Sequence, residues 1–169
     1  RAFAAGAPAG PARFLPPPAA RGGPPLPLVI ALHGMGGDEN MFMEGYGGGV
    51  LKELAQRVGF ILVTPSTYSV APNPTSFESI VDTMASLYNI DRSRVYVDGH
   101  SMGALVAGGW AVRYADRLAA ACLIAGGQVV GTASAPVLMV AGEFDSLFSL
   151  ERMRGYANRA IAAGLPIEF

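Results

Sequence analysis

The 169-residue sequence is short of the residues on which several kinds of chemistry depend. It has one cysteine, Cys122, so no disulfide can close within the chain and the redox compartment stays open. Cys122 lies in the apolar run LAAACLIA, where we read it as a buried, inert thiol. Charge is sparse as well. Asp, Glu, Lys and Arg supply 15% of the residues, net charge is −1 and no basic cluster occurs, which leaves no electrostatic footprint for nucleic acid or an acidic membrane. Long hydrophobic runs are missing too. The uncharged span from Leu118 to Gly142 is interrupted by Gly126, Gly127, Gln128, Gly131, Thr132, Ser134 and Pro136, so it reads as two strands around a loop, and no membrane span is expected. Only two histidines occur, His33 and His100. Without a carboxylate or thiol cluster beside them they fall short of a metal site, and no cofactor is read. The chain opens on Arg1, and RAFAAGAPAGPA is too rich in Gly and Pro for the apolar core of a signal peptide.

What is present is a regular alternation. Half of the residues are hydrophobic, and the length suits one domain over 1–169 with a single core. Residues 1–25 read as an irregular segment or edge strand around ARFLPPP. LPLVIAL (26–32), FILVTP (60–65), VYV (95–97), LAAACLIA (118–125) and PVLMVAG (136–142) are short apolar runs rich in branched residues, each expected as a buried strand. Between them lie stretches with helical spacing: VLKELAQRV closed by Gly59, 77–88, 102–114 and 150–163. TYSVAPNP reads as loop. Continuous apolar strands alternating with amphipathic helices imply an α/β protein, its mostly parallel sheet covered by helices on both faces. PIEF begins a strand on which the sequence stops, with no helix after it, and we expect a C-terminal part to be absent.

Ligands of an open parallel sheet sit beyond the carboxyl ends of its strands. Three loops there carry notable residues. Gly99-His100-Ser101-Met102-Gly103 matches G-x-S-x-G between a strand and a helix, the pattern that exposes a nucleophilic serine on a sharp turn. Side chains at 99 and 103 would meet neighbouring backbone, and the helix N-terminus favours negative charge at the site. The bland alternative is a glycine-rich packing turn with an incidental serine. LHGMGG, with Gly34 after His33, lacks the Gly-Lys-Ser/Thr ending of a phosphate loop and instead offers the Met35 N–H, with the Met102 N–H, as an oxyanion hole. Such donors each lower the barrier by roughly 3–4 kcal/mol. GEFDSLF carries Glu143 and Asp145. Asp145, further past the strand end, is the preferred triad acid, its alternative being a capping or turn residue.

Taken together, PLVIALHGMGGDENMF, YNIDRSRVYVDGHSMGALVAGGWAVRYADRLAAACLIAGG and PVLMVAGEFDSLFSLERM resemble the α/β-hydrolase superfamily. Within it they look like esterases of the polyhydroxybutyrate depolymerase and feruloyl-esterase group, over most of residues 26–163. The resemblance implies an eight-stranded fold, Ser101 as nucleophile, Asp145 as acid and the Met35 and Met102 amides as oxyanion hole. It also implies a small or polymeric ester as substrate and a secreted or periplasmic location. It places the catalytic histidine in a loop after the last strand, beyond residue 169. The stretch 68–77 is short for the group, so a substrate loop is expected to be missing there. His100, next to Ser101 on a tight turn, is expected to be structural, and His33 to brace the oxyanion loop. Two other readings stay open: a binding protein of this fold without a base, and a peptidase.

Overall fold

The computed structural model describes residues 11–17, 20 and 22–169, so most of the irregular N-terminal segment lies outside the described residues. Among the described residues seven strands form one sheet: β1 (Ala12–Leu15), β2 (Leu26–Leu32), β3 (Ile61–Pro65), β4 (Ile90–His100), β5 (Ala120–Ile124), β6 (Val137–Val140) and β7 (Ile167–Glu168). Their spatial order is β1-β3-β2-β4-β5-β6-β7. Only β1 runs antiparallel, with Arg13 opposite Thr64 at the edge, and every other pairing is parallel. The apolar runs take central places because a strand buried on both faces needs no polar alternation.

Helices lie on both faces of the sheet, as the alternation requires. Leu28, Ile30, Val63, Val97, Leu123 and Met139 point to one face. There they pack against α3 (Ser76–Leu87), α4 (Met102–Arg113) and α5 (Leu150–Ala162). The opposite face carries Ala31 and Leu62, covered by Phe42, Met43 and Ala55 around α1 (Val50–Leu54). Register carries that face across the sheet from Ala31 through Asp98 and Cys122 to Leu138. The helical cover is uneven, since Leu138 and Val140 at its far side are 43% and 41% exposed.

Three local readings are revised. TYSV is a short helix, α2 (Thr67–Val70), not loop. Its Ser69 and Val70 N–H groups donate to the Ser66 carbonyl while Thr67 and Val70 are buried, so packing overrides weak helix propensity. The strand around VYV runs from Ile90, with a shift in register between its pairings to Leu26 and Leu28, which hides it from an apolar-run reading. Helix α1 ends at Leu54 and continues as a wide turn over 55–59, in which the Phe60 N–H donates to the Ala55 carbonyl.

Candidate active site

Parallel register brings the carboxyl ends of four strands to one edge. Leu32 pairs with Gly99, His100 with Ile124, and Ile124 with Val140, so the loops after β2, β4 and β6 open on the same side.

Ser101 stands between β4 and α4 with φ 53° and ψ −112°. Such a backbone costs a non-glycine residue on the order of 1–3 kcal/mol and persists only where its surroundings impose it. Here the Ser101 N–H donates to the Ile124 carbonyl (2.9 Å), and its own carbonyl accepts from Ala104 and Leu105 at the start of α4. The two flanking glycines make the turn possible by their size. A Cβ at Gly99 would overlap the Gly103 carbonyl, and one at Gly103 would overlap the Leu32 carbonyl. The Ser101 side chain makes no capping bond to the helix and is part-exposed. The Met102 N–H has no acceptor among the described residues.

The loop after β2 is bonded along its length. The Thr67 N–H donates to His33 Nε2 (2.9 Å), which leaves the ring proton on Nδ1 to donate to the Gly34 carbonyl (2.8 Å). His33 is 1% exposed and both its nitrogens are engaged. The Gly34 N–H donates to the Tyr46 hydroxyl (3.3 Å), the Gly36 N–H to the Tyr68 hydroxyl (2.6 Å) and the Gly37 N–H to the Gly34 carbonyl (3.1 Å). The Met35 N–H alone of these four amides has no acceptor among the described residues. Gly34 is the point where this loop touches the serine turn: a Cβ there would stand 3.2 Å from Ser101 Cβ and 2.9 Å from His100 Nδ1.

His100 is held from the other side. Its Nδ1 lies 2.9 Å from the Tyr46 hydroxyl, and the two rings meet edge-on at 4.9 Å. A Tyr46 hydroxyl that accepts from Gly34 has its own proton to give to Nδ1, which places the His100 proton on Nε2. Burial lowers the His100 pKa, against a smaller opposing pull from Asp145. The ring is therefore neutral at pH 7.

Asp145 lies in the loop after β6. One carboxylate oxygen, Oδ1, accepts from the Leu147 and Phe148 N–H groups, both at 2.8 Å. These two bonds, with a lesser contribution from His100, lower its pKa, so it is ionised. Its other oxygen has no partner among the described residues. The turn role weighed for Asp145 is thus real for Oδ1 and leaves Oδ2 available. Glu143 is exposed on the same loop.

Nothing in the sequence marks Tyr46, Tyr68 or Asp98. Tyr46 sits in MEGYGGGV and Tyr68 in TYSV, neither of which has a pattern that marks a bond to a distant loop. Asp98 precedes the serine turn in DGHSMG and lies inside the sheet, with Oδ1 buried and unpartnered. Burial raises its pKa to about 6, against its bonds to the Gly99 N–H and the Cys122 thiol. Burial, then Asp98, raises Cys122 to about 12, which makes the thiol inert. Among the described residues no three His, Cys, Asp or Glu side chains gather as a metal ion would need, and no helix is long and apolar enough to cross a membrane.

No family profile matches the sequence. Curated relatives do. A bifunctional acetylxylan esterase/xylanase of Neocallimastix patriciarum is 31% identical over 145 residues, which cover 79% of this chain and 21% of that protein. Acetylxylan esterase A of Emericella nidulans is 29% identical over 115 residues, covering 59% of this chain and 37% of the relative. The chain thus spans well under half the length of either. Among solved structures, a thermostable esterase superposes with a TM-score of 0.75 at 23% identity, over 94% of this chain and 49% of that one. The architecture is the α/β-hydrolase fold.

Proposed function

We propose that this member of the α/β-hydrolase superfamily hydrolyses carboxylic esters through an acyl-enzyme on Ser101. The observation that carries the reading is the Ser101 backbone, held at φ 53° on a glycine-flanked turn with its side chain uncommitted. In the proposed reaction Ser101 Oγ bonds to the ester carbonyl carbon as its proton passes to a base. The tetrahedral intermediate then expels the alcohol, which takes that proton, and water releases the acid by the same route in reverse. The Met35 and Met102 N–H groups, both without acceptors among the described residues, would hold the oxyanion. Asp145 Oδ2 would orient the imidazole of the base and stabilise its charged form. Similarity to acetylxylan esterases points to acetyl groups on a polysaccharide as the substrate class.

Neither histidine of this chain suits the part of base. His33 uses both nitrogens within the oxyanion loop, and His100 commits Nδ1 to Tyr46. We therefore place the general base outside residues 1–169, in a whole protein of which these residues are one part. The test is fluorophosphonate labelling of the full-length gene product, followed by hydrolysis of p-nitrophenyl acetate. The reading expects labelled wild type, unlabelled Ser101→Ala and turnover by wild type only. A full-length protein that binds acetylated xylan but is neither labelled nor active would make it a binding protein of this fold. Turnover of peptides in preference to esters would make it a peptidase.

A further inference from the structure

Two tyrosine hydroxyls decide which amide of the oxyanion loop is left unbonded. Four successive N–H groups, from Gly34 to Gly37, face the same problem: each needs an acceptor, and a tight loop offers few. Gly37 finds one within the loop, at the Gly34 carbonyl. Gly34 and Gly36 find theirs on side chains distant in sequence, Tyr46 from the segment before α1 and Tyr68 from α2. The amide between them, Met35, finds none among the described residues.

Helix α2 grips this loop at two points. The Thr67 N–H fixes the His33 ring, whose other nitrogen holds the Gly34 carbonyl. One residue on, the Tyr68 hydroxyl takes the Gly36 N–H at 2.6 Å, and its ring lies 5.6 Å from that of His33. Tyr68 is nonetheless 49% exposed, so little apolar burial explains a tyrosine at this place. Its hydroxyl does what its ring does not.

We infer that Tyr68 is a positioning residue for ester hydrolysis: by accepting the Gly36 N–H it fixes the peptide plane after Met35, while the His33 ring holds the Gly34 carbonyl of the plane before it, so that the Met35 N–H stays aimed at the developing oxyanion. Tyr46 holds the preceding plane through Gly34 and ties the same loop to His100 beneath Ser101. The inference rests on the proposed ester hydrolysis. An oxyanion donor acts by being fixed before the charge appears, and a displacement near 1 Å lowers the rate by roughly a hundredfold.

The experiment is Tyr68→Phe in the full-length protein, which keeps the ring and removes only the acceptor. We expect kcat on p-nitrophenyl acetate to fall roughly ten- to a hundredfold with KM nearly unchanged. The inhibition constant of an arylboronic acid, which forms a tetrahedral serine adduct, should rise in proportion, while that of the product acid stays constant. Tyr68→Ala should be no worse in kcat than Tyr68→Phe, since the hydroxyl and not the ring is at issue. A Tyr68→Phe enzyme with wild-type kcat and boronate affinity overturns the inference while leaving the serine mechanism intact. Loss confined to thermal stability, with kcat per labelled site unchanged, overturns it too. If the wild type itself is not labelled at Ser101, the reading of the site fails before Tyr68 is reached.

Discussion

The Cα of Gly103 packs against the Leu32 carbonyl so closely that a Cβ at residue 103 would overlap its oxygen. This contact joins the first turn of α4 to the end of β2, and so ties the serine turn to the loop that carries Met35. The two parts of the proposed site, from strands far apart in sequence, are thereby held at one fixed separation.

Substitution at that contact should be severe. Gly103→Ala is expected to destabilise by more than about 3 kcal/mol, because backbone and not a movable side chain stands in the way. Gly109, exposed in the same helix, has nothing within 4 Å of an added Cβ. Gly109→Ala should stabilise by roughly 0.5–1 kcal/mol through helix propensity alone. Urea denaturation of the pair separates the two causes, since composition changes identically in both.

Asp145→Asn should leave the fold nearly unchanged. An amide oxygen can still accept from Leu147 and Phe148, the two bonds that shape the loop. Yet kcat should fall by about 10²–10⁴, because a neutral amide cannot stabilise an imidazolium or fix its tautomer. Circular-dichroism melts beside steady-state kinetics on the full-length protein check both halves. Retained activity would move the acid elsewhere, Glu143 first.

His100→Gln distinguishes a neighbour from a base. Removing a general base lowers rates by about 10²–10⁴, so fluorophosphonate labelling of Ser101 within about tenfold of wild type would assign His100 a structural part. Stability carries a second signature. Burial lowers the His100 pKa below its ordinary 6.5, so below that value the unfolded chain binds the extra proton first. Wild-type stability should fall as pH drops below 6.5, and the Gln variant should lose that component. A dependence equal in both would show that His100 contributes none of it.

Asp98→Asn should stabilise the protein near pH 7.5. The folded carboxyl keeps its proton up to about pH 6, whereas an unfolded one loses it near 3.8. Between those values the folded state binds more protons, so stability falls as pH rises, and above 6 the full penalty is present. The amide removes that penalty, a gain of about 1–3 kcal/mol at pH 7.5 that should shrink towards zero near pH 4. Paired urea titrations at the two pH values measure it.

Much of this architecture was legible in order along the chain. Apolar runs such as LPLVIAL mark central parallel strands because burial on both faces suppresses alternation. Ala104, Ala107 and Ala111 recur at helical spacing in α4. G-x-S-x-G declares itself through the steric demand of its turn, a local requirement written in local residues. The misreadings are equally physical. The four residues of α2 are too few for a periodic signal and are held by burial of Thr67 and Val70. The early part of β4 is charged and bulged, so no apolar run announces it.

Sequence alone determined the alternation of strands and helices, the glycine-flanked serine and the carboxylate placed after a later strand, because each follows from propensity or sterics within a few residues. Only the tertiary structure decided which amides are bonded and which is left unbonded. Within the loop after β2 the Met35 N–H is left without an acceptor among the described residues, while Tyr46, Tyr68 and Thr67, 11 to 33 positions along the chain, are brought to the residues around it. Hydrogen bonds across such separations leave no periodicity to read, since they depend on where the sheet and its covering helices carry the chain.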